Sequence, residues 1–300
     1  MALACRAGRH DRCKPKAVAV AAQRAAPAGT SGGLYAPGDW MWRFNREAVL
    51  LLAGPRALLL QLAHPLVAAG VAGHSDFRRE PVARLRRTLD AMLAIIYGTR
   101  EEADAAAGRV RHLHRRVAGR LDHPTRAFPA GTPYRALDPS LLFWVQATLQ
   151  DSALAAFECF VGPLAPEALE AQYQESKRMA PLFELPESEL PPDHPGFLAR
   201  FDYIVDRELE VTPVARELAD AVLHPPIPLL PRFVGDVGSI VTLELLPPAI
   251  REEYGFAWDA NRETAWRAAR TLIRRTLPHW PDAARVMPRA RRAERALQEN

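Results

Sequence analysis

Apolar residues recur along this chain with the 3.6-residue period of helices, and no run alternates β-branched and aromatic residues as a sheet would require. The periodic stretches run from Arg46 to about Ala53, Arg56 to about Gly73, Pro81 to Tyr97, Arg100 to about Leu121, Asp138 to Phe160 and Pro166 to Met179. Further stretches lie within Phe197 to Leu223, near Ser239 to Leu246, and from Asn261 to Leu277. Leucine, alanine and arginine dominate them, and these favour helix. Asp138-Pro139 is a start signal, a capping residue followed by proline at the first helical position. Other prolines fall between the periodic stretches: Pro181 to Pro195 reads as a surface loop, and "LHPPIPLLP" at 223–231 as an extended break. The pattern predicts an all-α fold, a single globular multi-helix domain around a central buried helix.

The stretch "LLLQLAHPLVAAGVAGHSDF" (58–77) tests that reading. From Ala48 to Gly73 the chain is long enough to span a membrane. It also carries Arg56, Gln61, His64, Pro55 and Pro65, and charged or ionisable groups near a bilayer centre are costly. A helix apolar nearly all round is what the centre of a large helical protein needs. A buried helix is therefore expected, with no transmembrane span; peripheral membrane contact stays open.

Composition changes the picture mainly at the ends. Residues 1–33 are basic, then Ala-rich, then rich in Gly, Ser and Pro, and read as a disordered extension. Residues 34–285 form the expected domain and 286–300 a charged C-terminal tail. The net charge of +4 is modest and the arginines are spread along the chain, whereas a duplex-binding protein concentrates them on one face. No nucleic-acid partner is expected. Three cysteines make neither a CxxC pair nor a zinc spacing, and the odd count argues against a disulfide scaffold. A reducing compartment, the cytoplasm, fits.

Phosphate loops, HExxH, GxGxxG and GxSxG are all missing. What stands out is histidines and arginines in apolar helices. His64 is either a core histidine bonded to a backbone carbonyl or part of a pocket wall. His74 suits the end of a helix, where a histidine complements the dipole, with Ser75 or Asp76 capping the next element; a pocket role fits it equally. Arg84, Arg87 and Thr88 share one helix face by their i, i+3, i+4 spacing, and Arg86 points elsewhere. That face is either solvated or aimed at carboxylates and a bound oxygen species. His112 and His114 point about 200° apart, so only one can face inward; both flank the side marked by Val110, Leu113 and Val117, and periodicity does not choose. Gly119 allows close approach of a backbone or a flat ligand.

The motifs "REAVLLLAGPRALLLQLAHPLVAAGVAGHSDFRREPVARLRRTLDAMLAIIYGT", "HLHRRVAG" and "YRALDPSLLFWVQATLQDS", in that order, resemble the DUF2236 family, which includes the latex-clearing rubber oxygenases and the MpaB-type oxygenases. The resemblance runs from about Tyr35 to Glu210. It implies an all-α fold around one haem b held by a proximal histidine, with oxidation by O2 of an apolar, unsaturated substrate of isoprenoid or lipid type. The family's HxxVxG setting of the iron ligand matches His114 to Gly119, which selects His114 over His112. The rubber oxygenases carry Arg, then Lys three residues on, then Thr. Arg84, Arg87 and Thr88 take that spacing, with an arginine, too basic to ligate iron readily, in the lysine's place. The resemblance makes these three the catalytic candidates. It makes His114, His64, His74 and Arg84 the haem-contacting ones. The family's "WVHATL" is "WVQATL" here, so Gln146 replaces a histidine. The alternative is a non-catalytic helical protein that binds a hydrophobic ligand or a membrane surface.

Overall fold

A computed structural model describes residues 32–74, 81–224 and 232–299. The extension at 1–33 falls outside them except for its last two residues; so do the capping roles of Ser75 and Asp76, and the break at 225–231. Helices dominate, as the periodicity predicts. The order is α1 (Trp40–Asn45), a 3-10 segment (Ala48–Ala53), α2 (Gly54–Ala63), α3 (Pro65–His74), α4 (Pro81–Tyr97) and α5 (Arg100–His114). A short ribbon of β1 (Ala118–Arg120) and β2 (Pro133–Arg135) follows, then α6 (Pro139–Phe160), α7 (Pro166–Ser176), α8 (His194–Arg207) and α9 (Pro213–Leu223). The chain closes with α10 (Arg232–Leu245), α11 (Pro248–Glu253), α12 (Ala260–Thr276), α13 (Asp282–Arg285) and α14 (Pro288–Gln298).

The expected central helix from Arg56 to Gly73 is two helices. The segment Ala48–Ala63 meets Pro65–His74 at 101°. Pro65 is the cause. Its ring crowds the preceding residue out of the helical region, so His64 sits extended at φ −84°, ψ 116°. Proline also has no N–H to continue the ladder. The His64 carbonyl then accepts from Ala68 N at 2.9 Å and opens α3. Among the described residues no single helix is long and apolar enough to cross a membrane; the bent pair passes by length and composition only.

The longest element, α6, is about 33 Å of helix. It starts where predicted: Asp138 Oδ1 accepts from Ser140 N at 3.0 Å, and Pro139 occupies the first turn. Leu59, Leu60, Leu62 and Ala63 of α2 pack with Leu142, Phe143, Trp144 and Ala147 of α6, and with Phe197, Phe201, Leu218 and Ala219 of α8 and α9, in the largest core cluster. A second cluster joins α4, α5, α1 and α14 through Ile95, Ile96, Ala103, Ala106, Met41, Trp42 and Ala290.

α4 and α5 form a hairpin. Gly98 turns the chain where an added Cβ would sit 2.4 Å from Ala94 O and 2.5 Å from Glu102 Oε2. Thr99 then caps α5 reciprocally: Glu102 N donates to Thr99 Oγ1 at 3.2 Å, and Thr99 N donates to Glu102 Oε2 at 3.1 Å.

Several boundaries differ from those read in the sequence. α5 stops at His114, not near Leu121, because the chain turns into β1, where Gly119 lies opposite Tyr134 in an antiparallel pair. The pairing is only three residues a side, too short to leave an alternating pattern. The stretch Phe197 to Leu223 is two helices, each with its own side-chain cap, Asp193 and Thr212. Residues 286–300 hold α14, whose Ala290 is fully buried and whose Arg289 meets Glu102 at 2.9 Å. Arg46 and Glu294 also pair there at 3.0 Å.

Candidate functional site

The hairpin decides which predicted residues can meet. Arg84 lies thirteen residues before Tyr97, and His114 fourteen after Arg100. At 1.5 Å per residue both stand about 20 Å from the turn. Antiparallel packing of α4 on α5 thus sets the end of α5 level with Arg84, with Arg87 and Thr88 about one helical turn nearer the hairpin turn.

His114 is the last residue of α5, partly buried, with Nδ1 fully covered. Thr88 is half-buried and Arg87 exposed. Arg86 points away, as expected, and makes a loose pair with Asp90 at 3.8 Å. The α4 backbone is helical through Arg84; the side chains of 81–85 are outside the described residues. His112 is exposed, and its Nε2 accepts from Arg116 at 2.9 Å, so that lone pair is engaged. Leu113, expected on the apolar side, is 56% exposed. The helix ends one residue later, before any described neighbour covers it.

His64 and His74 do not converge. They bracket α3, about 15 Å of helix apart. His74 is exposed and lies edge-on to Tyr134, ring centroids 6.4 Å apart at 88°. Gly70, one turn earlier, places a would-be Cβ 3.3 Å from Val117, so the C-terminal half of α3 covers the exit of α5. Gly119 does admit a flat group, and that group is Tyr134: a Cβ there would lie 2.5 Å from its Oη. Burial raises the Tyr134 phenol pKa, with Asp122 adding to the effect, which keeps the hydroxyl protonated. His64 is 2% exposed at the elbow, its Nε2 3.5 Å from Glu208 Oε2.

Sequence reasoning missed the polar groups between α2 and α6. Arg56, 1% exposed, donates from Nε to Leu245 O at 2.6 Å and from Nη1 to Ser152 Oγ at 2.7 Å. Its Nη2 lies 2.7 Å from Asp151 Oδ2, a contact too oblique to count as a hydrogen bond but close enough to pair the charges. Gln61 Nε2 donates to Thr148 Oγ1 at 3.0 Å. The signal was available: Arg56 is the one cation of the apolar α2, and Asp151 is an anion amid the apolar residues of α6. Gln146 is half-buried on α6 and points away from the Thr148 face.

Among the described residues no three His, Cys, Asp or Glu side chains gather to hold a bare metal ion. A haem iron asks the protein for one imidazole, since the porphyrin supplies the rest of its plane.

Two curated relatives, both named as uncharacterized proteins, one of Mycobacterium bovis and one of Mycobacterium tuberculosis, are each 26% identical over 231 residues, covering 74% of this chain and 88% of theirs. No solved structure matches significantly. Residues 41–275 match the sequence model of the family described as ER-bound oxygenase mpaB/B'/Rubber oxygenase, catalytic domain. That span takes in α1 through α12, the α4–α5 hairpin and the elbow at His64, and the chain therefore belongs to this family of oxygenase catalytic domains.

Proposed function

We propose that this chain is a haem-b-dependent oxygenase that uses O2 on an apolar, unsaturated substrate of isoprenoid or lipid type, in the cytoplasm. One observation carries the reading: a partly buried imidazole, His114, ends α5 level with Arg84 and within about a helical turn of Arg87 and Thr88, in a chain whose family is an oxygenase domain. The donor set suits haem better than a bare ion. Haem bound there would supply the binding and activation of O2.

The roles of the chain's own residues follow. His114 Nε2 would hold the iron, from a ring that stands partly buried at the end of α5. His112 is a poor substitute, because Arg116 already occupies its Nε2. Arg84 and Arg87 would pair with haem carboxylates by charge-assisted hydrogen bonds. Thr88 offers a neutral hydroxyl donor on the same helix face. His74, beside Tyr134 at the end of α3, would stand at the edge of the haem site. His64, at the other end of α3, would support that helix from beneath.

The absorption spectrum of the purified chain tests this, taken oxidised, after dithionite, and under carbon monoxide. A Soret band that shifts at both steps is expected. His114→Ala should lose at least ten-fold in haem content, whereas His112→Ala keeps it. A colourless chain that cannot be reconstituted with hemin, or a His114→Ala protein with full haem content, overturns the reading.

A further inference from the structure

α2 and α6 run antiparallel and meet through a series of polar rungs. Arg56 reaches Ser152, and Gln61 reaches Thr148. Next in register come His64 and Trp144, whose rings stand 6.3 Å apart, centroid to centroid. Trp144, Thr148 and Ser152 follow at four-residue intervals on one face of α6.

The first two rungs are closed and the third is open. Trp144 is fully buried and His64 is 2% exposed. The indole Nε1 and the imidazole Nδ1 are both buried and bonded neither to each other nor to any other described group. Buried polar atoms rarely remain so, because each has given up its bond to water. The rings of Phe128, beside His64, and Phe201, beside Trp144, stand at 5.3 Å and carry no nitrogen or oxygen.

The chemistry of a missing partner is narrowly defined. Indole Nε1 can only donate. His64 Nε2 faces the Glu208 carboxylate, which favours the ring proton on Nε2 and leaves a lone pair on Nδ1. Glu208 is held in place there, since two residues on Glu210 N donates to Ala63 O at 2.9 Å. The partner must therefore accept on one side and donate on the other. Carboxylates and phosphates only accept, and ammonium groups only donate. A hydroxyl does both, and one oxygen about 2.9 Å from each nitrogen is compatible with this ring spacing.

We propose that the His64–Trp144 rung is a binding site for a hydroxyl group, which accepts a hydrogen bond from Trp144 Nε1–H and donates one to His64 Nδ1. The hydroxyl is that of an internal water or of a long-chain alcohol. The site stands apart from the oxygenase reading, because a chain that never binds haem still carries it.

The full-length protein, labelled with 15N at tryptophan, gives six indole signals, one per Trp. Trp144→Phe identifies the relevant one by its loss; if that variant fails to fold, His64→Gln identifies it by displacement. 1-Dodecanol and dodecane are then added as a matched pair with and without the hydroxyl. Cross-relaxation from water to the Trp144 indole proton that dodecanol removes and dodecane does not assigns the site to an alcohol. Cross-relaxation that survives dodecanol assigns it to an internal water. A dodecanol-specific shift without any water signal again assigns an alcohol, and Trp144→Phe should then weaken dodecanol binding by about two- to tenfold. An indole proton that neither sees water nor responds to dodecanol overturns the proposal.

Discussion

The α2–α6 interface and the open end of the α4–α5 hairpin use the same residue types to opposite ends. In the interface, Arg56 is buried and held by a carbonyl, a hydroxyl and a carboxylate from two other helices. At the hairpin end, Arg86 and Arg87 stand in solvent on a helix whose inner face is apolar. An arginine inside a core must be fully partnered, so it fixes the geometry of whatever supplies its partners. Exposed arginines make solvent-screened contacts, as Arg86 does with Asp90 at 3.8 Å, and set little of the geometry around them. The contrast separates a part of the fold whose charges set positions from a part whose charges face solvent.

Breaking the buried side should have the largest effect. Arg56→Ala strands the Asp151 carboxylate and leaves Ser152 and Leu245 O without their donor. Loss of one partner of a buried pair typically costs about 3–5 kcal/mol. Urea denaturation should show a loss of that order, and Arg56→Met with Asp151→Leu should recover most of it, since an apolar pair replaces a charged one at little cost. A single variant as stable as wild type would mean that Asp151, 17% exposed, is already adequately hydrated.

What could be read from the sequence follows the range of the physics involved. Helix existence depends on local periodicity, and α4, α6 and α12 lie within a residue or so of their predicted limits. The elbow at His64 was visible as Pro65 but was outweighed by an uninterrupted apolar run. β1 and β2 are held by pairing across twelve intervening residues, and three residues a side are too few to show an alternating pattern. At the candidate site, the 3.6-residue spacing placed Arg84, Arg87 and Thr88 on one face, while the preference for His114 over His112 came from the family resemblance and not from periodicity; the Arg116 contact that engages His112 is itself local, four residues on. The rungs of α2 on α6 pair residues 80 to 96 apart, which no periodicity can register.

A middle-sized effect tests the packing at the hairpin exit. Gly119→Ala drives a methyl group to 2.5 Å from Tyr134 Oη and 2.7 Å from its Cζ. Overpacking of this kind costs about 1–3 kcal/mol. Because the clash is with one ring, the penalty should vanish in a Tyr134→Ala background, and a double-mutant cycle would report coupling of the same size. Additive costs would mean that the ribbon shifts bodily and that Tyr134 is not what Gly119 makes room for.

The smallest effect is the most informative about how His114 is held. Thr99→Ala removes the reciprocal cap at the start of α5, for which about 1 kcal/mol of stability is expected to be lost. Glu102 keeps its contact with Arg289, so the first turn remains tied to α14. Fraying at one end of a helix is confined to its first turn, and His114 lies at the opposite end, fourteen residues after Arg100. Thermal unfolding should therefore move while hemin affinity changes by less than about twofold, a shift below what 0.4 kcal/mol would produce. Should affinity fall in step with stability, the position of His114 would be set by the hairpin as a whole, and the division between a positioning interface and an open binding end would have to be drawn through α5 itself.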